Sequence, residues 1–150
     1  MKITFIAHSA FLVEWDKFYT LFDYVYEPDY TGTLPPLDPQ KPLLVFSSHS
    51  HEDHFDGKVF GLLEQYPLTQ FFVSRDTRLT ERRRKWLGIS DEAFARTTVL
   101  RPDSILLTEA AGEELSVRAI KSTDIGNAYL LRAEGKMVYH GGDLNWWHWE

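Results

Sequence analysis

Leu43-Leu44-Val45-Phe46-Ser47-Ser48-His49-Ser50-His51-Glu52-Asp53-His54 is the stretch from which the rest of this sequence is best read. Four consecutive apolar residues mark a strand buried on both faces, and the run stops at two small serines. The next six residues carry three histidines and an aspartate. In extended chain, residues i, i+2 and i+4 point the same way, so His49, His51 and Asp53 project together and a turn brings His54 beside them. Imidazole nitrogen suits Zn²⁺, Fe or Mn²⁺, and a carboxylate either ligates or takes a proton. A lone histidine is usually packed or solvated, whereas four such groups within six residues point to a metal centre.

Upstream, Ile3, Phe5 and Ala7 alternate with Lys2, Thr4 and His8, and two further β-rich runs flank Asp16-Lys17, which reads as a two-residue hairpin turn. An N-terminal antiparallel meander is predicted. Residues 27–42 hold Pro28, Pro35, Pro36, Pro39, Pro42 and Gly32, so they form a long loop. Downstream, residues 57–66 suit a helix stopped by Pro67, and 77–87 suit a second, with Leu79, Trp86 and Leu87 as its apolar side and Gly88 as its stop. A strand at 71–73 separates them. Short strands follow at 98–100, 104–108, 115–120, 128–132 and 137–139. The last ends in His140-Gly141-Gly142-Asp143, which puts a carboxylate at a strand tip beside backbone without side chains, although Gly-Gly-Asp also makes an ordinary turn.

The chain has 150 residues, the length of one domain, and a net charge of −6, which argues against nucleic acid as a partner. The run Arg82-Arg83-Arg84-Lys85 reads as a solvated helix face. Zero cysteines exclude thiolate metal sites, disulfides and a cysteine nucleophile, so any metal takes nitrogen and oxygen ligands. No stretch approaches 18 apolar residues, so a cytoplasmic protein without membrane contact is expected.

The histidine cluster at the end of a buried strand, the meander before it and Tyr139-His140-Gly141-Gly142-Asp143 after it resemble the metallo-β-lactamase superfamily. The opening Ala7-His8-Ser9-Ala10-Phe11-Leu12-Val13-Glu14 resembles the branch related to ascorbate-6-phosphate lactonase. That resemblance implies an α/β fold, the αββα sandwich, with a metal pair at one edge. His49 and His51 would hold the first ion, Asp53 and His54 the second, and Asp143 would bridge. One or two ions, Zn²⁺ or alternatively Mn²⁺ or Fe, would activate a water that Asp53 orients or deprotonates, cleaving an ester, lactone or phosphoester of a small-molecule substrate.

Two departures stand out. The family's third histidine at the first ion falls here on Lys121-Ser122-Thr123-Asp124, where Asp124 is either a substitute ligand or a turn residue. The family's last histidine at the second ion has only His148 as a stand-in, and His148, among tryptophans, is read first as packing. His8 is either a structural histidine or part of the pocket, and His140 either supports the ligands or packs. The chain is short for the family and reads as the first sheet, its helices and the start of the second sheet. A catalytically weak metal-binding module and a nuclease of the same superfamily are the alternatives to a hydrolase of small molecules. Trp146, Trp147 and Trp149 form a dense apolar end from which a homodimer or larger assembly is expected.

Overall fold

The structure is a computed structural model, and it describes residues 1–26 and 32–144. A six-stranded sheet has the order β1 (Lys2–Ala7), β2 (Ala10–Glu14), β3 (Tyr19–Phe22), β4 (Leu43–Ser47), β5 (Thr69–Ser74) and β6 (Thr97–Leu100). The first three strands are the antiparallel meander that the sequence predicts, and β3 through β6 run parallel. A second sheet is an antiparallel meander in the order β10 (Lys136–His140), β9 (Asn127–Ala133), β8 (Glu113–Lys121) and β7 (Ile105–Ala110). The second sheet is thus four strands wide, more than the beginning of a sheet that the sequence suggests.

Strand periodicity divides the core in two. Leu43, Val45, Phe71 and Val73 face one way, toward Val59, Phe60, Leu62 and Ala93 of the helical layer. Leu44, Phe46 and Phe72 face the other way, toward Leu115, Val117, Tyr129 and Leu131 of the second sheet. Phe46 stacks between Phe22 and Phe72, with centroids 5.2 and 4.8 Å apart. The unbroken burial of β4 follows: it is a central parallel strand with helices on one face and a sheet on the other. The outer face of the second sheet leaves Ile105, Leu107, Met137 and Tyr139 exposed.

The helical elements are shorter than their sequence pattern suggests. The stretch 57–66 begins as a 3₁₀ turn (Gly57–Gly61), capped by the Asp56 side chain, and becomes α1 (Leu62–Gln65). The stretch 77–87 is split, because Arg78 is left-handed and Thr80 caps a new start, leaving α2 (Glu81–Trp86). Only Leu79 of its expected apolar side is buried; Trp86 is 80% exposed. The additional helix α3 (Asp91–Ala95) starts at Ser90, whose hydroxyl accepts the Ala93 N–H at 3.1 Å. Ser90→Ala is therefore expected to cost about 1 kcal/mol in a urea melt, the usual worth of such a cap, and a midpoint equal to that of the parent would remove the cap from the account. No described helix is long and apolar enough to cross a membrane.

Candidate metal centre

The parallel strands end together on one edge of the sandwich, and the loops that leave them build the site. β3 delivers Asp23, β4 delivers Ser48 and the histidine cluster, and the ends of β8, β9 and β10 bring Asp124, Asn127 and Asp143. The chain is pinned closely here. Asn127 donates its N–H to the Ser48 carbonyl at 2.8 Å. Gly126, at φ 74°, passes so near that a Cβ would sit 2.3 Å from that same carbonyl oxygen and 2.6 Å from the His49 Cβ.

Asp23 organises the inner side. It is fully buried, at φ 46°, and its carboxylate accepts from the Ser48 N–H and hydroxyl at 2.7 Å each, His54 Nδ1 at 2.8 Å and His140 Nε2 at 2.7 Å. Burial alone would raise its pKa, but the charge of His140 and the hydrogen bonds from His140 and His54 outweigh it and hold the group well below the carboxylate range. His54 donates from Nδ1 to Asp23; burial lowers its pKa, but that hydrogen bond and the charges of Asp23, Asp143 and Asp53 outweigh it and raise it, which favours a proton on Nε2 in the metal-free chain that a cation would replace. That nitrogen is buried, lies 3.0 Å from Asp143 Oδ1 and 3.5 Å from Asp53 Oδ2, and has no hydrogen-bond partner among the described residues.

The same reasoning fixes His49. The single proton of the Ser48 hydroxyl goes to Asp23, so Ser48 Oγ accepts from His49 Nδ1 at 2.9 Å and the free lone pair of His49 sits on Nε2. His49 Nε2 faces His51 Nδ1 at 3.0 Å and Asp143 Oδ2 at 3.7 Å. Burial, and then the neighbouring His54 charge, lower the His49 pKa and keep it neutral, as a ligand must be. His51 Nδ1 lies 3.8 Å from Asp124 Oδ2.

Two groups of ligand atoms emerge, each set within 4.8 Å: His49, His51, Asp124 and Asp143; and His8, Asp53 and His54. Asp143 reaches toward both, since its two oxygens approach His49 and His54 respectively. Asp124, one of two readings in the sequence, stands with the first group. His8 sits in the β1–β2 turn at φ 47° and donates from Nε2 to Asp53 Oδ2 at 2.8 Å. Its place in the second group was open in the sequence. His140 supports the ligands through Asp23 rather than standing among them. His148 lies outside the described residues, as do Trp146, Trp147 and Trp149.

Nothing in the sequence pattern singled out Asp23. The available signal was its place directly after Leu21-Phe22, at the tip of the strand beside β4. In the metal-free chain its pKa is depressed on folding, so its stabilisation is complete above the ordinary 3.8 and is lost as pH falls through the lower folded value. The stability gap between the parent chain and Asp23→Asn should therefore narrow as urea melts are moved from pH 5 toward pH 2. A gap of constant width would remove the charge from that role.

A family model described as "Beta-lactamase superfamily domain" matches residues 2–146. The chain belongs to that superfamily. Its two sheets with few helices are the metallo-β-lactamase fold. Among curated relatives, this superfamily member is 29% identical over 153 residues to a UPF0173 metal-dependent hydrolase of Opitutus terrae, covering 95% of this chain and 63% of that one. A UPF0173 metal-dependent hydrolase of Desulforamulus reducens is also 29% identical, with 95% and 62% covered. The chain thus spans less than two thirds of the length of these relatives. Among solved structures, Igni18, a metallo hydrolase from Ignicoccus hospitalis, shares the fold at TM-score 0.62 and 22% identity, over 94% of this chain and 60% of its own.

Proposed function

We propose that this superfamily member is a metal-dependent hydrolase that cleaves an ester, lactone or phosphoester of a small molecule with water. The observation that carries the reading is the buried, unpartnered His54 Nε2, its other nitrogen locked on Asp23 and two carboxylates converging on it. A nitrogen so held is aimed at a position between two carboxylates where a cation can replace its proton. The donor set fits a divalent ion: neutral imidazoles and carboxylates suit Zn²⁺, Mn²⁺ or Fe²⁺, and no thiolate is present to select otherwise. His49, His51 and Asp124 would hold one ion, His54, Asp53 and His8 a second, and Asp143 would reach both. Bound divalent ions supply Lewis acidity and acidify a water near neutral pH.

The chain's own residues do the rest. Asp53 is partly buried; burial raises its pKa, but the charge of His54 and hydrogen bonds, including one from His8, lower it further, so the group stays ionised at neutral pH. As an ionised acceptor, Asp53 orients a water and takes up its proton, while the N–H that His8 donates from Nε2 holds the carboxylate in place. Purified chain supplied with Zn²⁺ or Mn²⁺ is expected to hydrolyse at least one member of a panel of lactones, aryl esters and phosphoesters, and Asp53→Asn to lose that activity while still folding. Bound metal with no turnover across the panel would favour the metal-binding module instead.

A further inference from the structure

Beside the ligand cluster lies a second concavity, a cleft of about 730 Å³ whose wall includes Ser50, between the ligand residues His49 and His51, and Gly126, two residues past Asp124. Its polar lining is Ser74, Arg75, Asp76, Arg78 and Arg83. The three arginines make no ion pair with any described residue, although the nearby Arg84 pairs with Glu81 and Asp91, Lys85 with Glu81, and Arg96 with Glu92. In a chain of net charge −6, three unpaired guanidinium groups gathered at one cleft form a local field opposite to the whole.

Three buried polar atoms in this cleft have no hydrogen-bond partner among the described residues: Ser74 Oγ, Arg83 Nε and Asp76 Oδ1. Ser74 is completely buried. A buried donor without an acceptor is costly to keep, so an N–H and an O–H left open together point to an absent acceptor. Asp76 is held in place because its other oxygen accepts the Ser50 N–H at 2.8 Å, which leaves Oδ1 as a buried carboxylate acceptor without a partner among the described residues. Arg78 adds a further sign. It sits at φ 50°, a conformation that an arginine adopts at a cost a glycine would not bear.

We propose that this cleft is a phosphate-binding subsite that holds a phosphate monoester group of the molecule cut at the adjacent ligand cluster. Arg75, Arg78 and Arg83 neutralise and grip the phosphate oxygens, Ser74 donates a hydroxyl to one of them, and Asp76 Oδ1 accepts from the P–OH or from a neighbouring hydroxyl of the ligand. Ser50 lies between His49 and His51 in the chain and Gly126 two residues past Asp124, so a molecule anchored here is held next to the ligand cluster. The basic run of α2 is thus divided in function: Arg83 faces the cleft, whereas Arg82 is exposed outside it. The word "substrate" rests on the hydrolase reading; the binding of phosphate does not.

The test is a calorimetric titration of the whole chain with inorganic phosphate, run on the parent protein, Arg83→Gln, Arg78→Gly and the control Arg82→Gln, with metal content measured in each. Arg83→Gln and Arg78→Gly are each expected to weaken phosphate by about tenfold or more, the scale of one charge-assisted contact, with metal content unchanged and Arg82→Gln like the parent. Arg78→Gly should also melt at a higher temperature, since it relieves the left-handed backbone, so weakened binding there is not a folding defect. Sulfate, with no proton to give Asp76, is expected to bind several-fold more weakly than phosphate. Equal affinity in Arg83→Gln and the parent, sulfate as tight as phosphate, or no phosphate binding overturns the proposal. So does tighter, steeply salt-dependent binding of a short oligoribonucleotide that Arg82→Gln also weakens, which would make the cleft part of a nucleic-acid track. Phosphate binding that follows these variants in a chain holding no metal keeps the subsite and defeats the hydrolase reading alone.

Discussion

Asp23→Ala is expected to cost about 3–5 kcal/mol of folding stability, the usual consequence of removing one partner from a buried charged network. The side chain is the common acceptor of the Ser48 N–H, the Ser48 hydroxyl, His54 Nδ1 and His140 Nε2. Its loss leaves these donors in a site that water does not enter freely. Against a total stability of about 5–15 kcal/mol for a domain, the alanine variant falls near the limit of folding, so Asp23→Asn is its necessary companion. Asparagine keeps one acceptor oxygen and loses the charge. It should fold, and its metal affinity should drop by about 10–100-fold, the scale seen when a partner that aims a ligand is altered. Urea melts of the metal-free proteins and competitive metal titration read the two effects separately. Parent-like stability in Asp23→Ala together with parent-like affinity in Asp23→Asn would strip Asp23 of both roles.

His51→Ala is expected to behave in the opposite way. His51 is exposed, so the metal-free fold should barely notice, whereas the ion proposed to bind with His49, Asp124 and Asp143 would lose a ligand and should not survive purification. His140→Ala is a different case, because His140 acts through Asp23: weaker affinity is expected, not an emptied site. Ligands that converge only in the folded chain tie metal binding to folding. At free metal of about 1,000 times Kd the stabilisation is about 4 kcal/mol, and each kcal/mol moves the Tm of a domain this size by about 2–4 °C. A strong chelator should therefore lower the parent Tm by roughly 8–16 °C and that of His51→Ala by much less. Equal chelator shifts in both proteins would remove His51 from the ligand set.

The two halves of this picture were not equally open to inspection from the sequence. Strands and the histidine cluster are written locally: the alternation of Ile3, Phe5 and Ala7, the unbroken apolar run in β4 and the packing of four ligand-type residues into six positions are all visible within a dozen residues, although the cluster runs through a bend and turn rather than extended chain and so sends Asp53 to a different group from His49 and His51. The helices were less so. The left-handed Arg78 breaks one pattern, and the Ser90 cap that starts α3 is a short signal that periodicity over a longer window does not register. Trp86 marks the limit of reading burial from residue type, since a tryptophan at helical spacing from Leu79 faces solvent. What sequence could not pair is what the fold joins across distance: His8 with Asp53, 45 residues apart, and His140 with Asp23, 117 apart. Only the arrival of β10 beside β9, and of the meander beside β4, turns these into neighbours.

The left-handed backbone of Asp23 narrows what evolution can place there. The conformation favours glycine, asparagine and aspartate, while the four donors around it demand an acceptor that also carries charge. Glycine meets the first condition and fails the second; glutamate does the reverse; asparagine meets the first and half of the second. Aspartate alone meets both, so the position has one solution among the twenty residues. Lineages that drift freely along the exposed faces of both sheets should hold that residue fixed, since asparagine there weakens the metal site and alanine undermines the fold itself.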